Sequence, residues 1–323
     1  MQRREFIKNS TLFGTIAMLG GANSLFGDDN VTANSNNKTL EKTNDDFITL
    51  NNGLAMPLIG LGTFGLENEI CESMVSEALK IGYRLIDTAQ SYGNEKVIGK
   101  GISKSKIYRK DIFIVTKLNF KSYENTRNTV IKSLENLQTY YLDMVLLEWP
   151  LGNYYGAWRE LEKLNKEGIV KSIGIANFEP DQYIDLVAHN EIIPAINQIE
   201  TNLYNQQLNQ KEWLSKKQIA QMAFSPLGAD LKNEILGELR LQYLAQKYSK
   251  TPSQIALRYL TQQNIVAVPK PSKIEELKEN LEIFDFSLNE NEMAELAKLN
   301  KKSQTNSNLH NPEFVEKMIF SEQ

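Results

Sequence analysis

Asp87, Tyr92 and Lys117 stand at or just past the ends of two successive strand-like runs, Arg84-Leu85-Ile86 and Ile112-Phe113-Ile114-Val115-Thr116. A free phenol has a pKa of about 10, so a tyrosine that moves protons near neutrality needs an ammonium beside it to favour its phenolate. Lys117 can supply that charge, and Asp87 can hold the lysine. An isolated Asp and Lys are usually a structural ion pair and a tyrosine an ordinary half-buried aromatic, but the three together favour catalysis. Glu148, at the end of the run from Asp143, is a fourth candidate.

Composition removes several other chemistries. The single Cys71, set among Ile70, Met74 and Val75, cannot form an internal disulfide and reads as a buried structural thiol. His189 and His310 lie in no ligand-like cluster, so no metal site and no histidine triad is expected. The net charge of -4 gives no basic footprint for nucleic acid. Lysines instead alternate with glutamates on Ile274 to Phe284, as on a solvated helix face. With 41% hydrophobic residues, a chain of 323 can bury one large core.

Gly60-Leu61-Gly62-Thr63-Phe64-Gly65 matches the dinucleotide fingerprint GxGxxG, with Asp87 at the end of the next strand. A linker, Leu66 to Asn68, separates it from the helix-like Glu69 to Ile81, whereas the fingerprint packs its last glycine into the helix start. A Rossmann domain is therefore not expected.

The elements that must position these residues follow a regular alternation. After a hairpin signal from Ile48 to Met56, turning at Asn51-Asn52-Gly53, strand candidates are Leu58 to Gly62, Arg84 to Asp87, Ile112 to Lys117, Asp143 to Glu148, Ser172 to Ala176, Ala195 to Glu200, Ile219 to Ser225 and Ile265 to Pro269. Helical periodicity fills the intervals, as in Glu124 to Leu137 and Tyr155 to Glu167. The expected fold is α/β, a (β/α)8 TIM barrel with an N-terminal β-hairpin, spanning residues 47–300. Such a barrel gathers Asp87, Lys117, Glu148, Asn177, Gln198 and Ser225 around the mouth at the C-terminal ends of its strands.

Ile86-Asp87-Thr88-Ala89-Gln90-Ser91-Tyr92-Gly93-Asn94-Glu95 closely resembles the signature of the aldo-keto reductases, and further motifs follow in that family's order from about Ile48 to Lys298. The resemblance implies Tyr92 as proton donor, supported by Lys117 and Asp87, and a nicotinamide cofactor held without a Rossmann domain. Gly174-Ile175-Ala176-Asn177-Phe178 and Asn197-Gln198-Ile199-Glu200 make Asn177 and Gln198 its carboxamide ligands, with Ala176 in place of the usual serine. Phe224-Ser225-Pro226-Leu227-Gly228 offers Phe224 as the stacking ring, which needs a π-face and no hydroxyl. Ser225 and Leu227 join it, as do Asp87, Thr63 and Phe64. Val268-Pro269-Lys270-Pro271-Ser272, with Glu279 and Asn280, resembles the segment that binds adenosine and its 2'-phosphate. NADP(H) is favoured and NAD(H) is the alternative, because Glu276 stands where many NADP-dependent members carry an arginine; Lys273 could compensate.

The implied activity is reduction of a small aldehyde or ketone, with Trp149, Tyr154 and Tyr155 as candidate substrate walls and the chain acting as a monomer. Leu146-Leu147-Glu148-Trp149-Pro150 departs from the usual Leu-Ile-His-Trp-Pro, and a glutamate here also occurs in the family's steroid double-bond reductases. Enone reduction is thus one alternative. A non-catalytic cofactor-binding barrel is another, and a glycosidase using Glu148 and Glu200 a third that leaves the lysine unexplained.

Arg3-Arg4-Glu5-Phe6-Ile7-Lys8 resembles a twin-arginine export motif, with Leu12 to Phe26 as its apolar region. Residues 1–27 are expected to be an export signal read by the twin-arginine machinery and 28–46 a disordered linker. The protein would be periplasmic if the signal is used and cytoplasmic otherwise. Residues 301–323 read as a polar C-terminal tail.

Overall fold

In a computed structural model, residues 46–301, 309 and 311–320 are described. The export-signal reading and His310 lie outside them. The hairpin forms where its turn residues predict it, with β1 (Phe47–Thr49) antiparallel to β2 (Ala55–Pro57). Eight further strands follow: β3 (Leu61–Gly62), β4 (Leu85–Asp87), β5 (Phe113–Leu118), β6 (Leu142–Leu147), β7 (Val170–Ala176), β8 (Ile196–Glu200), β9 (Ala220–Phe224) and β10 (Val266–Ala267). They pair in sequence order and in parallel, forming one curled sheet from β3 to β10. Parallel neighbours need long crossovers, and helices such as Asn68–Ile81, Thr126–Leu137 and Tyr154–Lys166 provide them.

The two edge strands of this sheet are joined. Ile59 bridges Ala267 in parallel, Gly60 donates its N–H to the Ala267 carbonyl at 2.9 Å, and Gly62 donates to Pro269 at 3.0 Å. This contact also explains the GxGxxG run. A Cβ on Gly62 would sit 2.7 Å from the Val268 carbonyl oxygen, so the glycine serves strand approach. The helix starts only at Asn68, as the linker requires.

Strand alternation sorts the side chains into two layers. Ile86, Ile114, Val145, Leu147, Ile173 and Ile175 face the helices and pack with Trp158, Leu161 and Tyr183. Leu85, Val115, Met144, Leu146, Ile196 and Met222 point the other way and pack together, with Leu50, Met56 and Leu58 of the hairpin among them. Two residues further along the same strands, this inner row becomes polar: Asp87, Lys117, Glu148 and Gln198.

The stretch read as a polar tail contains a helix, Pro312–Phe320. Asn311 starts it by accepting the Glu313 N–H at 3.0 Å, and Pro312 has the fixed φ suited to a first helical residue.

Candidate active site

Lys117 is 2% exposed and donates three hydrogen bonds: to Asp87 Oδ2 at 2.8 Å, to the Thr88 carbonyl at 2.9 Å and to Tyr92 Oη at 3.3 Å. An ammonium has three protons, so its hydrogen-bonding capacity is filled and its direction fixed. Gln198 donates Nε2 to the other Asp87 oxygen at 2.8 Å. Tyr92 is delivered by a 3-10 turn, Gln90–Tyr92, ended by Gly93 at φ 68°. Thr63, expected on the cofactor side, is fully buried and donates its hydroxyl to the Asp87 carbonyl at 2.9 Å. Asn94 braces Thr63 in turn, donating Nδ2 to its carbonyl at 2.9 Å.

Charge and burial compete here. Burial raises the Tyr92 phenol to about 12; the Lys117 ammonium pulls it down, while Asp87 and Glu148 push it up. The expected lowering by lysine is therefore outweighed. Burial works against the Lys117 ammonium, but Asp87 and Tyr92 beside it more than compensate, and its pKa is raised. Glu148 is 9% exposed, and burial raises its carboxyl despite Lys117, Asn119 and Ser91, which favour the charge. Ser91 Oγ lies 3.5 Å from Glu148 Oε2, and Asn177 donates Nδ2 to the Glu148 carbonyl at 3.0 Å.

Asn177 and Ser225 follow their strands in the left-handed region, at φ 63° and 47°. The Asn177 N–H donates to the Gln198 carbonyl at 3.0 Å, so the two amide residues are adjacent. Phe224 is half-buried, and among the described residues its ring meets no other ring. Phe64 is exposed and meets Tyr92 edge-on at 5.0 Å. Lys270 and Lys273 are exposed and, among the described residues, have no carboxylate partner. Ser272 is also exposed, whereas Leu227 packs on the core. A half-exposed ring and unpaired cations suit an aromatic, anionic dinucleotide. Glu279 and Asn280 are more enclosed than their motif suggests: Glu279 accepts the Thr251 hydroxyl at 2.6 Å, and Asn280 is 3% exposed.

On the expected substrate side, the backbone of Trp149 is held twice by Tyr123. The tyrosine hydroxyl donates to its carbonyl at 2.7 Å and accepts its N–H at 3.1 Å. The Trp149 ring meets Phe314 of the C-terminal helix at 6.4 Å. Tyr154 and Tyr155 pack on one another, and Tyr154 meets Phe178 edge-on. Ser91, Asn94, Asn119, Tyr123 and Phe314 were not singled out from sequence. Ser91 and Asn94 sit inside the Ile86 to Glu95 segment and were within reach; Phe314 had no local signal tying it to Trp149. A cleft of about 380 Å³, lined by Asn51, Asn52, Lys171 and Ser172 among others, involves the hairpin turn and contains none of these residues.

The family described as "Aldo/keto reductase family" matches residues 58–301. A methylglyoxal reductase of Escherichia coli (strain K12) is 35% identical over 261 residues, 80% of this chain and 94% of that protein. A glyoxal reductase of Bacillus subtilis (strain 168) is 40% identical over 273 residues, covering 81% and 96%. Among solved structures, a Bombyx mori aldo-keto reductase in complex with NADP superposes with a TM-score of 0.75 at 31% identity, covering 80% of this chain and 94% of that one.

Proposed function

The chain belongs to the aldo/keto reductase family, and on that premise we propose that it reduces small aldehydes and ketones with NADP(H), Tyr92 donating the proton. The relatives' names point to glyoxal and methylglyoxal as the first substrates to try. The joined edge strands support a closed (β/α)8 barrel as the scaffold.

NADP(H), when bound, supplies the hydride. Asn177, Gln198, Phe224, Ser225, Lys270 and Ser272 are the residues that would hold it. The observation that carries the reading is Lys117, buried and clamped between Asp87 at 2.8 Å and Tyr92 at 3.3 Å. A carbonyl group that gains a hydride on its carbon becomes an alkoxide, a base of roughly the strength of hydroxide and far stronger than a phenolate. A phenol held at about 12 keeps its proton until that charge develops and then gives it up downhill. Lys117 stabilises the resulting phenolate, and Asp87 holds the ammonium in place. The test is a panel of aldehydes and ketones, glyoxal and methylglyoxal included, followed by NADPH absorbance. Binding of NADPH without consumption on any of them would leave only the passive cofactor-binding barrel.

A second reading rests on Glu148. Burial raises the Glu148 carboxyl, and in its protonated form that carboxyl can donate a hydrogen bond to a substrate oxygen beside Tyr92. On a conjugated enone this would favour hydride delivery to the β-carbon. Product analysis with one small enone decides between them: saturated ketone supports the alkene reaction, and allylic alcohol alone leaves carbonyl reduction. We also propose that Arg3-Arg4 directs export to the periplasm and that the protein acts as a monomer.

A further inference from the structure

Glu276 is the departure on the cofactor side that family membership does not explain, because a carboxylate beside Lys270 and Ser272 repels a phosphate. In the structure this carboxylate is engaged at both oxygens. Oε2 accepts the Ser272 N–H at 2.7 Å, and Oε1 lies 3.8 Å from Lys232 Nζ. The first contact fixes the turn that carries Ser272. The second brings a cation from a different part of the chain.

Lys232 opens the short helix Lys232–Leu236 in the segment after β9. Its position is set by packing on both sides. Gly228, at φ 93°, begins the 3-10 turn Ala229–Leu231 that leads into it, and Ile235 fastens the helix with a fully buried side chain. A Cβ on Gly228 would fall 2.3 Å from Ile235 Cδ1, so turn and helix are in close contact. Lys232 is thus presented to Glu276 by packed backbone, with its side chain 37% exposed against 23% for Glu276.

We propose that Lys232 is a specificity-determining residue for the nucleotide: by pairing with Glu276 it cancels the carboxylate's repulsion at the Lys270–Ser272 corner and lets the chain accept the 2'-phosphate that distinguishes NADP(H) from NAD(H). The proposal rests on the reductase reading above, with the 2'-phosphate at the Val268 to Ser272 segment that the family resemblance implies. Glu276 then keeps its role of holding Ser272, while Lys232 neutralises its charge. Because the pair is partly exposed, its effect is modest and falls with salt.

The experiment is equilibrium titration of NADPH and NADH by quenching of protein fluorescence, at low and high salt, without substrate. Lys232→Gln should weaken NADPH by about fivefold, the scale of one partly exposed charge contact, and leave NADH within about twofold. Lys232→Arg should restore the preference. In a Glu276→Gln background the Lys232→Gln effect should largely vanish, since no carboxylate remains to cancel. Equal weakening of both nucleotides would make Lys232 a brace for its turn and overturn the proposal. So would no change in either, or an undiminished effect in the Glu276→Gln background. Wild-type protein that binds neither nucleotide would sink the reductase reading itself, an outcome distinct from all of these.

Discussion

Burial decides the character of Tyr92 more than its neighbour does. A phenol at about 12 is fully protonated at neutral pH, which suits a donor in reduction. Tyr92→Phe keeps the ring against Phe64 but has no proton to give. Turnover should fall by about 10²- to 10⁴-fold, the usual worth of a positioned acid, with NADPH affinity within about twofold by fluorescence titration. Retained turnover would remove Tyr92 from the role. Glu148 gives a pH test of a different kind. Its folded pKa is raised, so its native carboxyl adds no penalty below the unfolded value, and stability is lost as pH rises through the folded pKa. Glu148→Gln abolishes that loss. Its melting temperature, relative to wild type, should therefore be higher at pH 8 than at about pH 4, where the unfolded carboxyl is still largely protonated; an equal difference at both would remove Glu148 as the source.

At the scale of elements, the alternation within strands is what turns sequence into a site. In β4, Leu85 and Asp87 share a face; so do Val115 and Lys117 in β5, and Leu146 and Glu148 across the end of β6. One row of each strand is oily below and ionisable at its end. This much was legible, because period-2 patterns and strand ends are local properties, and the eight strands fall within two or so residues of their expected bounds except where β3 and β10 are cut short. Less legible were contacts that need the folded chain. Thr63 was expected to face the cofactor, but its motif could not reveal that its hydroxyl is spent on Asp87. The helix Pro312–Phe320 is masked in the sequence by the polar stretch before it, although Asn311-Pro312 is a helix-start signal. Its Phe314 makes a prediction possible: Phe314→Ala should raise KM for the preferred aldehyde by about threefold to tenfold, the value of one aromatic pair, without moving NADPH affinity. An unchanged KM would place the Trp149–Phe314 contact outside the substrate's reach.

For the molecule as a whole, the proposed export is open to a direct test by steady-state fractionation. Arg3-Arg4→Lys-Lys should trap the unprocessed chain in the cytoplasm, and equal periplasmic yield from both chains would refute the signal. The hairpin adds a constraint on timing. Asn51 donates Nδ2 to the Pro194 carbonyl across 143 residues, and Asn52 donates to Lys171 across 119. At about 5 to 20 residues per second, the ribosome needs roughly 7 to 29 s to produce Pro194 after Asn51. Through most of that interval Leu50, Met56 and Leu58 are already made while much of the inner row that will bury them is not. The first-made strands of this chain are therefore among the last to be secured, and a nascent chain stalled before Pro194 should bind holding chaperones that the finished protein does not.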